Sequence, residues 1–385
     1  MSRRRFATSV PLVLSLALTA ALPAPAAAAA PTLRKTVVQD GLLYPWDVAF
    51  APGGQMFVTE RPGRIKVFAS GGKDAPLLAS NPISNMRAEG EAGAMGLALD
   101  PNFASNRLLY VCASRNSNGN WRNQVLRYKV RANWTLEFNR YVIRLGMKAN
   151  TIHNGCAVEF GPDGKLWVTM GDANNPSLAQ NPTSLNGKVL RMNRNGSVPS
   201  GNPIMPGTAT RTIVYSMGHR NPQGIAFHPV SGRAYTIEHG PDRSDEINWI
   251  RKASGGVGRN YGWPCYTGNN SVYSWVAACN GNGPFTKPAW HSGSSTIATS
   301  GAAFVKGSDW ASFRKHLFVA QLKERDLRRF TIDSDGSPAR YRATYFNLKW
   351  GRLRGVVLAP NNRLYLTTSN GSNDKVIRIR ALPAG

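Results

Sequence analysis

The chain has 385 residues, with 38 glycines and 25 prolines, enough length for a sizeable core and enough turn formers for many short elements. Lys and Arg number 47 against 21 Asp and Glu, a net charge of +26, which favours anionic partners. There is no zinc-finger spacing, no RNP-like aromatic motif and no basic helix, so nucleic-acid binding is not expected. The dispersed Arg and Lys suit a basic surface around one anion site, and leave open association with an anionic envelope surface.

Residues 1–30 read as an export signal. Arg3, Arg4 and Arg5 precede an apolar run from Val10 to Leu22, then a small-residue stretch from Ala24 to Ala30. The order S-R-R-x-F resembles a twin-arginine signal, and a Sec signal fits equally. The mature chain, 31–385, is therefore expected in the periplasm or secreted, with a charge of +23 once three arginines are removed. No later segment is long and apolar enough to span a bilayer.

Beyond the signal one pattern recurs six times. An apolar strand meets a Pro/Gly/Asp turn, followed by a strand rich in β-branched and aromatic residues. The copies begin at Val48, Leu97, Val158, Ile225, Ala302 and Val356. A further strand-like piece follows each, at Gly63, Gln124, Gly187, Asp245, Arg325 and Asp374. Units of this spacing predict an all-β fold, a six-bladed β-propeller of one domain, with a β-sandwich as the alternative. In an exported chain disulfides are plausible. Cys265 and Cys279 flank a Gly/Asn/Ser-rich loop and predict a local bridge. Cys112 and Cys156 lie in strand-like segments, and their pairing is open.

A propeller gathers loops from all blades at one mouth, so polar residues at repeat edges become candidates for a single site. His153 precedes the third hairpin and Asp172 ends it. Arg220 and Asn221 precede the fourth, and Gly240 and Pro241 end it. Lys323 follows the fifth, and Arg352 and Arg354 precede the sixth. The densest run, Gly218 to Pro264, reads GHRNPQGIAF, then EHGPDRSDEIN, then NYGWP.

These segments, with HNG followed by FGPDG and with GKVLRMNRNGSVP, resemble the soluble quinoprotein aldose sugar dehydrogenases from about Tyr44 to Arg380. The resemblance implies a six-bladed propeller that uses pyrroloquinoline quinone (PQQ) and Ca2+. It makes His153 the catalytic base and Asp172 its orienting carboxylate. Arg220 and Asn221 would contact the quinone, and Lys323, Arg352 and Arg354 the cofactor. The Gly240 and Pro241 carbonyls would ligate the calcium that bridges to it, and Glu246 and Tyr261 resemble a second, structural calcium site. Glu91 falls near a polar position that contacts sugar or base. Cys156 stands where the family usually has a small residue.

The implied reaction is oxidation of an aldose at C1 to the lactone. No haem-attachment C-x-x-C-H occurs, so electrons must pass to a separate acceptor. Two readings compete: a calcium-dependent lactone or ester hydrolase, which needs side-chain carboxylates and amides converging on a channel metal, and a non-catalytic ligand-binding propeller.

Overall fold

The computed structural model describes residues 29–269, 271–274, 279 and 283–382. The expected export segment lies almost wholly outside them. Six sheets follow one another along the chain, antiparallel except where Arg259–Asn260 adds a short parallel strand to the outer edge of the third, and the six hairpin copies form the two innermost strands of each. The inner strands are Pro45–Phe50, Ala94–Leu99, Gly155–Phe160, Pro222–Phe227, Thr299–Phe304 and Leu353–Leu358. The strand-like pieces that follow the copies become the third strands. The outer strands were not legible as a repeat. They include Leu136–Ile143, largely exposed and without a regular apolar/polar alternation, and the two-residue Trp290–His291. Such strands bury little, so their alternation is weak.

The ring closes through its termini. Thr32–Leu42 pairs antiparallel with Asp374–Leu382 and supplies the outer strand of the sixth blade. A first strand added to the last sheet locks the circle with backbone hydrogen bonds and leaves no radial gap between first and last blades. The alternative of a β-sandwich is thereby set aside.

Each blade is apolar on both faces, because each packs on two neighbours. The second strands Met56–Glu60, Leu166–Met170, Ala234–Glu238, Leu317–Gln321 and Leu364–Thr368 are buried at every position. The described core divides into six clusters, one per seam. Phe57, Ile65, Leu97 and Val111 join the first and second blades, for example, and Val48, Met56, Tyr365 and Val376 join the sixth to the first.

Near the axis the seams tighten to backbone contact. Every inner strand has a register shift near its start. At the third position of that strand stand Asp47, Gly96, Ala157, Gly224, Gly301 and Gly355 in turn. A Cβ on Gly96 would lie 2.5 Å from the Cys156 carbonyl, and one on Gly301 2.6 Å from the Arg354 carbonyl. Glycine is needed there because the next inner strand passes too close for a side chain. Where the first blade has Asp47, the carboxylate instead accepts the Val48 and Leu97 amides and ties that blade to the second. Burial pushes the Asp47 carboxyl up to about 7.

A second device repeats beside the first. Thr59 donates its hydroxyl to the Met95 carbonyl at 2.7 Å, Thr169 to Pro222 O at 2.7 Å, and Thr367 to Trp46 O at 3.2 Å. Each bond runs from a second strand to the next blade's inner strand. In the second blade the matching position is Cys112, which is bonded to Cys156 of the third. The pairing left open by sequence is thus a covalent version of the threonine stitch. The expected Cys265–Cys279 bridge is also present.

The Cys112→Ala/Cys156→Ala variant should lose about 3–4 kcal/mol of stability, from release of a 44-residue separation. Cys112→Thr/Cys156→Ala should recover about 1 kcal/mol of that through the restored hydroxyl bond. Urea unfolding of the two variants beside the wild type checks the order. Equal stability of both variants would show that the seam does not use the stitch.

Candidate functional site

Inner strands start at one mouth of the propeller, and second strands end there. His153, Asp172, Asn221, Gly240, Pro241, Lys323 and Arg352 therefore share that mouth, in loops flanking those strands. Arg354 lies one residue inside its inner strand, on the channel wall, and is buried.

His153 and Asp172 form the centre. The imidazole Nδ1 lies 2.7 Å from Asp172 Oδ1, and the carboxylate is fully buried. Asp172 Oδ1 also accepts the Asn174 amide at 2.8 Å, and Oδ2 accepts the Trp263 indole N–H at 2.8 Å. An ionised acceptor makes these bonds strong and fixes the ring plane of His153. The backbone here is under strain: φ is +58° at His153, +62° at Gly155 and +66° at Cys156. Left-handed non-glycine residues such as His153 and Cys156 cost on the order of 1 kcal/mol each and persist where surrounding structure over-determines them. The disulfide at Cys156 and the Gly155 amide bond to Asn221 Oδ1, 3.0 Å, hold the segment.

Beside this pair lies a network not legible in the sequence. Glu91 Oε2 accepts the His153 amide at 3.0 Å, Asn221 Nδ2 at 3.2 Å and Gln223 Nε2 at 3.2 Å. Gln223 Oε1 in turn accepts Arg354 Nη1 at 2.6 Å, and the Arg354 guanidinium lies 3.8 Å over the Trp46 ring. Burial alone would raise the Glu91 carboxyl, but electrostatic attraction from the neighbouring His239, Arg354 and His153 side chains, with the His153 amide bond, outweighs it and holds it below the ordinary glutamate range. Burial pushes Arg354 down to about 9, so it is still a cation at neutral pH. The loop Pro82 to Ala94 carries no repeat signal, which is why Glu91 stood out in the sequence through resemblance alone.

Arg220 leans over the Trp263 ring at 5.3 Å and donates from Nη1 to the His239 carbonyl at 3.3 Å. Its amide is held by Glu238 Oε1. Beneath it, His219 joins Glu238 Oε2 at 2.9 Å to Ser216 Oγ at 2.8 Å and stacks on Tyr261 at 4.8 Å. That order reproduces the connectivity of a Ser–His–acid triad, but Ser216 and His219 are fully buried with no face for a substrate. They support Arg220 from below.

Lys323 stands exposed at the mouth, Nζ on Thr296 Oγ1 at 3.4 Å, and Arg352 is exposed beside it. Gly240 donates its amide to Asp245 Oδ1 at 2.7 Å, and a Cβ there would strike the Arg243 carbonyl, so the Gly-Pro turn is one that glycine alone fills. Glu246 is buried, with Gly268 N on Oε1 at 2.8 Å and Asn248 Nδ2 on Oε2 at 3.0 Å. Burial first, and then the charge of Glu238, push its carboxyl up to about 8. The Tyr261 hydroxyl points away from Glu246, donating to Trp249 O at 2.5 Å. What Tyr261 can offer a metal beside Glu246 is its backbone. Among the described residues no three His, Cys, Asp or Glu side chains are grouped to hold a metal ion.

A small anionic cofactor fits this mouth on two observations. Arg220 Nε and His239 Nε2 are buried polar atoms with no hydrogen-bond partner among the described residues. Orphaned polar atoms of this kind mark places where a bound group completes the bonding. At the same mouth stand the further cations Arg352, Arg354 and Lys323. For a hard cation, the oxygen available at the Gly240–Pro241 turn is carbonyl oxygen, which suits calcium in company with water and a cofactor carboxylate.

The model of the glucose/sorbosone dehydrogenase family matches residues 42–378. The aldose sugar dehydrogenase YliI of Escherichia coli strain K12 is 30% identical over 356 residues, covering 90% of this chain and 93% of that protein. A crystal structure from Thermus thermophilus, described as a putative oxidoreductase (glucose dehydrogenase), is 34% identical with a TM-score of 0.76, covering 90% of this chain and all of that one. The PQQ-bound aldose sugar dehydrogenase of Streptomyces coelicolor is 28% identical with a TM-score of 0.74, covering 92% of this chain and all of that one.

Glu91→Ala should destabilise the protein by about 3 kcal/mol, because it leaves three donors without their acceptor and the buried Arg354 cation without its counter-charge. Denaturant unfolding without added ligand reads this directly. A loss under about 1 kcal/mol would mean that Glu91 is not the acceptor on which the network converges.

Proposed function

The chain belongs to the glucose/sorbosone dehydrogenase family, and from that premise we propose that it is an exported quinoprotein that oxidises aldose sugars at C1 to lactones. The observation that carries the reading is the His153–Asp172 pair at 2.7 Å, set at the same mouth as the unpartnered nitrogens Arg220 Nε and His239 Nε2. Pyrroloquinoline quinone, when bound with Ca2+, supplies the electrophile that accepts hydride from the sugar.

The chain's own residues bind, orient and move a proton. Arg352, Arg354 and Lys323 would hold the carboxylates of the cofactor, and Arg220 and Asn221 would contact its quinone. Arg suits this role through its planar fork of donors. The carbonyls of Gly240 and Pro241 would hold the calcium. Glu246 and the Tyr261 backbone would contribute to a second, structural calcium site.

With Nδ1–H donated to Asp172, the free lone pair of His153 lies on Nε2, the nitrogen that takes the proton of the anomeric hydroxyl. Asp172 fixes that tautomer and stabilises the imidazolium that forms. Buried, with three donors on its two oxygens, the carboxylate needs no reorganisation when the charge develops. Electrons then leave to a separate acceptor.

Export is supported by the Arg-rich, then apolar, start of the sequence and by two disulfides in the described chain. Among the described residues no helix is long and apolar enough to cross a membrane.

Purified apoprotein given Ca2+ and pyrroloquinoline quinone should reduce an artificial dye when an aldose is added. A panel of aldoses with no dye reduction would defeat the proposal. In the same assay His153→Gln should retain quinone binding and lose about 100-fold or more in kcat. Turnover near that of the wild type would place the base elsewhere.

A further inference from the structure

Asp172 presents two oxygens, and different parts of the chain engage them. Oδ1 faces His153 Nδ1 and the Asn174 amide, both from the third blade. Oδ2 faces the indole N–H of Trp263, 91 residues further along the chain, at 2.8 Å. Asp172 is completely buried, so no water stands in for a lost donor.

Trp263 is itself held at every edge. Its amide donates to Gly218 O at 3.0 Å, and its carbonyl accepts Gln180 Nε2 at 2.6 Å. Its ring packs on Tyr273 at 5.2 Å and lies 5.3 Å from the Arg220 guanidinium. Tyr273 lies between Cys265 and Cys279, the ends of a disulfide-closed loop, and its own ring is covered by the Arg243 guanidinium at 5.0 Å. A single indole therefore touches the carboxylate that orients His153, the guanidinium of Arg220 and the bridged loop. Phenylalanine would pack in the same place, but it has no N–H to give Asp172.

We propose that Trp263 is a positioning residue for the sugar-oxidation reaction: its indole N–H locks the Asp172 carboxylate in the rotation that aims His153, while its ring rests on Tyr273. The physical reason is the number of donors on a buried carboxylate. With Oδ2 left bare, the carboxylate turns to regain a partner, and the His153 ring turns with it. A small rotation of a catalytic base is felt in turnover far more than in binding. This inference rests on the reading of His153 as the base, so its test includes a measurement that needs no turnover.

The first arm uses apoprotein. The hydrogen-bonded His153 Nδ1 proton is observed by NMR as a low-field resonance, assigned by its loss in Asp172→Asn. In Trp263→Phe that resonance should shift or broaden while the rest of the spectrum keeps its dispersion. An unmoved resonance overturns the proposal whether or not the protein oxidises sugar.

The second arm uses protein loaded with quinone and Ca2+. Trp263→Phe should lower kcat about tenfold, the loss of one hydrogen bond to a charged group, with the KM for sugar and the Kd for quinone within about twofold of wild type. Benzothienylalanine at position 263 keeps the bicyclic shape and replaces N–H by sulfur, and should reproduce the lower kcat. Unchanged kcat with this analogue, or a parallel loss of kcat, KM and quinone affinity in both variants, would show a packing role alone and overturn the proposal. If wild-type protein oxidises no aldose, the proposed function fails, and the NMR arm still decides whether Trp263 positions the pair.

Discussion

Six sheets share one axis only if their innermost strands come within backbone contact of one another, and this chain meets that condition with missing side chains. Gly96, Gly224, Gly301 and Gly355 occupy the same place in four inner strands, each facing the backbone of the next blade. Around them the seams are closed by hydroxyl-to-carbonyl bonds from Thr59, Thr169 and Thr367, and at one seam by a disulfide. The terminal strand Thr32–Leu42 then makes the ring continuous. A ring built this way is stiff at its centre, because close-packed interiors do not deform smoothly. Stiffness there is what lets loops from different blades hold side chains at fixed separations.

The site inherits that stiffness unevenly. His153 sits three residues before Cys156, so the covalent seam lies directly behind the strained turn that presents the imidazole. Glu91 and Gln223 then link His153, Asn221 and Arg354 across the channel. By contrast Lys323 and Arg352 stand exposed, with room to adjust to a ligand. A rigid base with adjustable cations is a sensible division. Proton transfer depends steeply on geometry, whereas attraction between a carboxylate and a surface cation falls off gently with distance.

Charge is also divided. Most of the positive excess is dispersed over the surface, while one group of acids gathers near the mouth: the half-buried Glu91 and the buried Asp172, Glu238, Asp245 and Glu246. Each is held by amide, indole or imidazole donors rather than by free lysine. Asp245 Oδ2, for example, accepts the Ile297 and Ala298 amides at 2.6 Å. Acids satisfied by fixed dipoles leave the arginines near them able to meet an incoming anion, which agrees with the orphaned Nε of Arg220.

One dimension was enough to specify the number of blades, their order and the ends of strands where His153, Asp172, Arg220 and Asn221 lie. Hairpins are local: alternation and turn chemistry within about fifteen residues encode them, so they are readable along the chain. The outer strands escaped detection because they bury too little to alternate clearly. Only the closed ring assigns the partner of Cys112, the sealing role of Thr32–Leu42, the convergence of donors on Glu91 and the indole bond from Trp263 to Asp172. Those contacts join residues from 44 to about 350 positions apart. They are set by how the blades are stacked around the axis, and no short window of sequence carries that information.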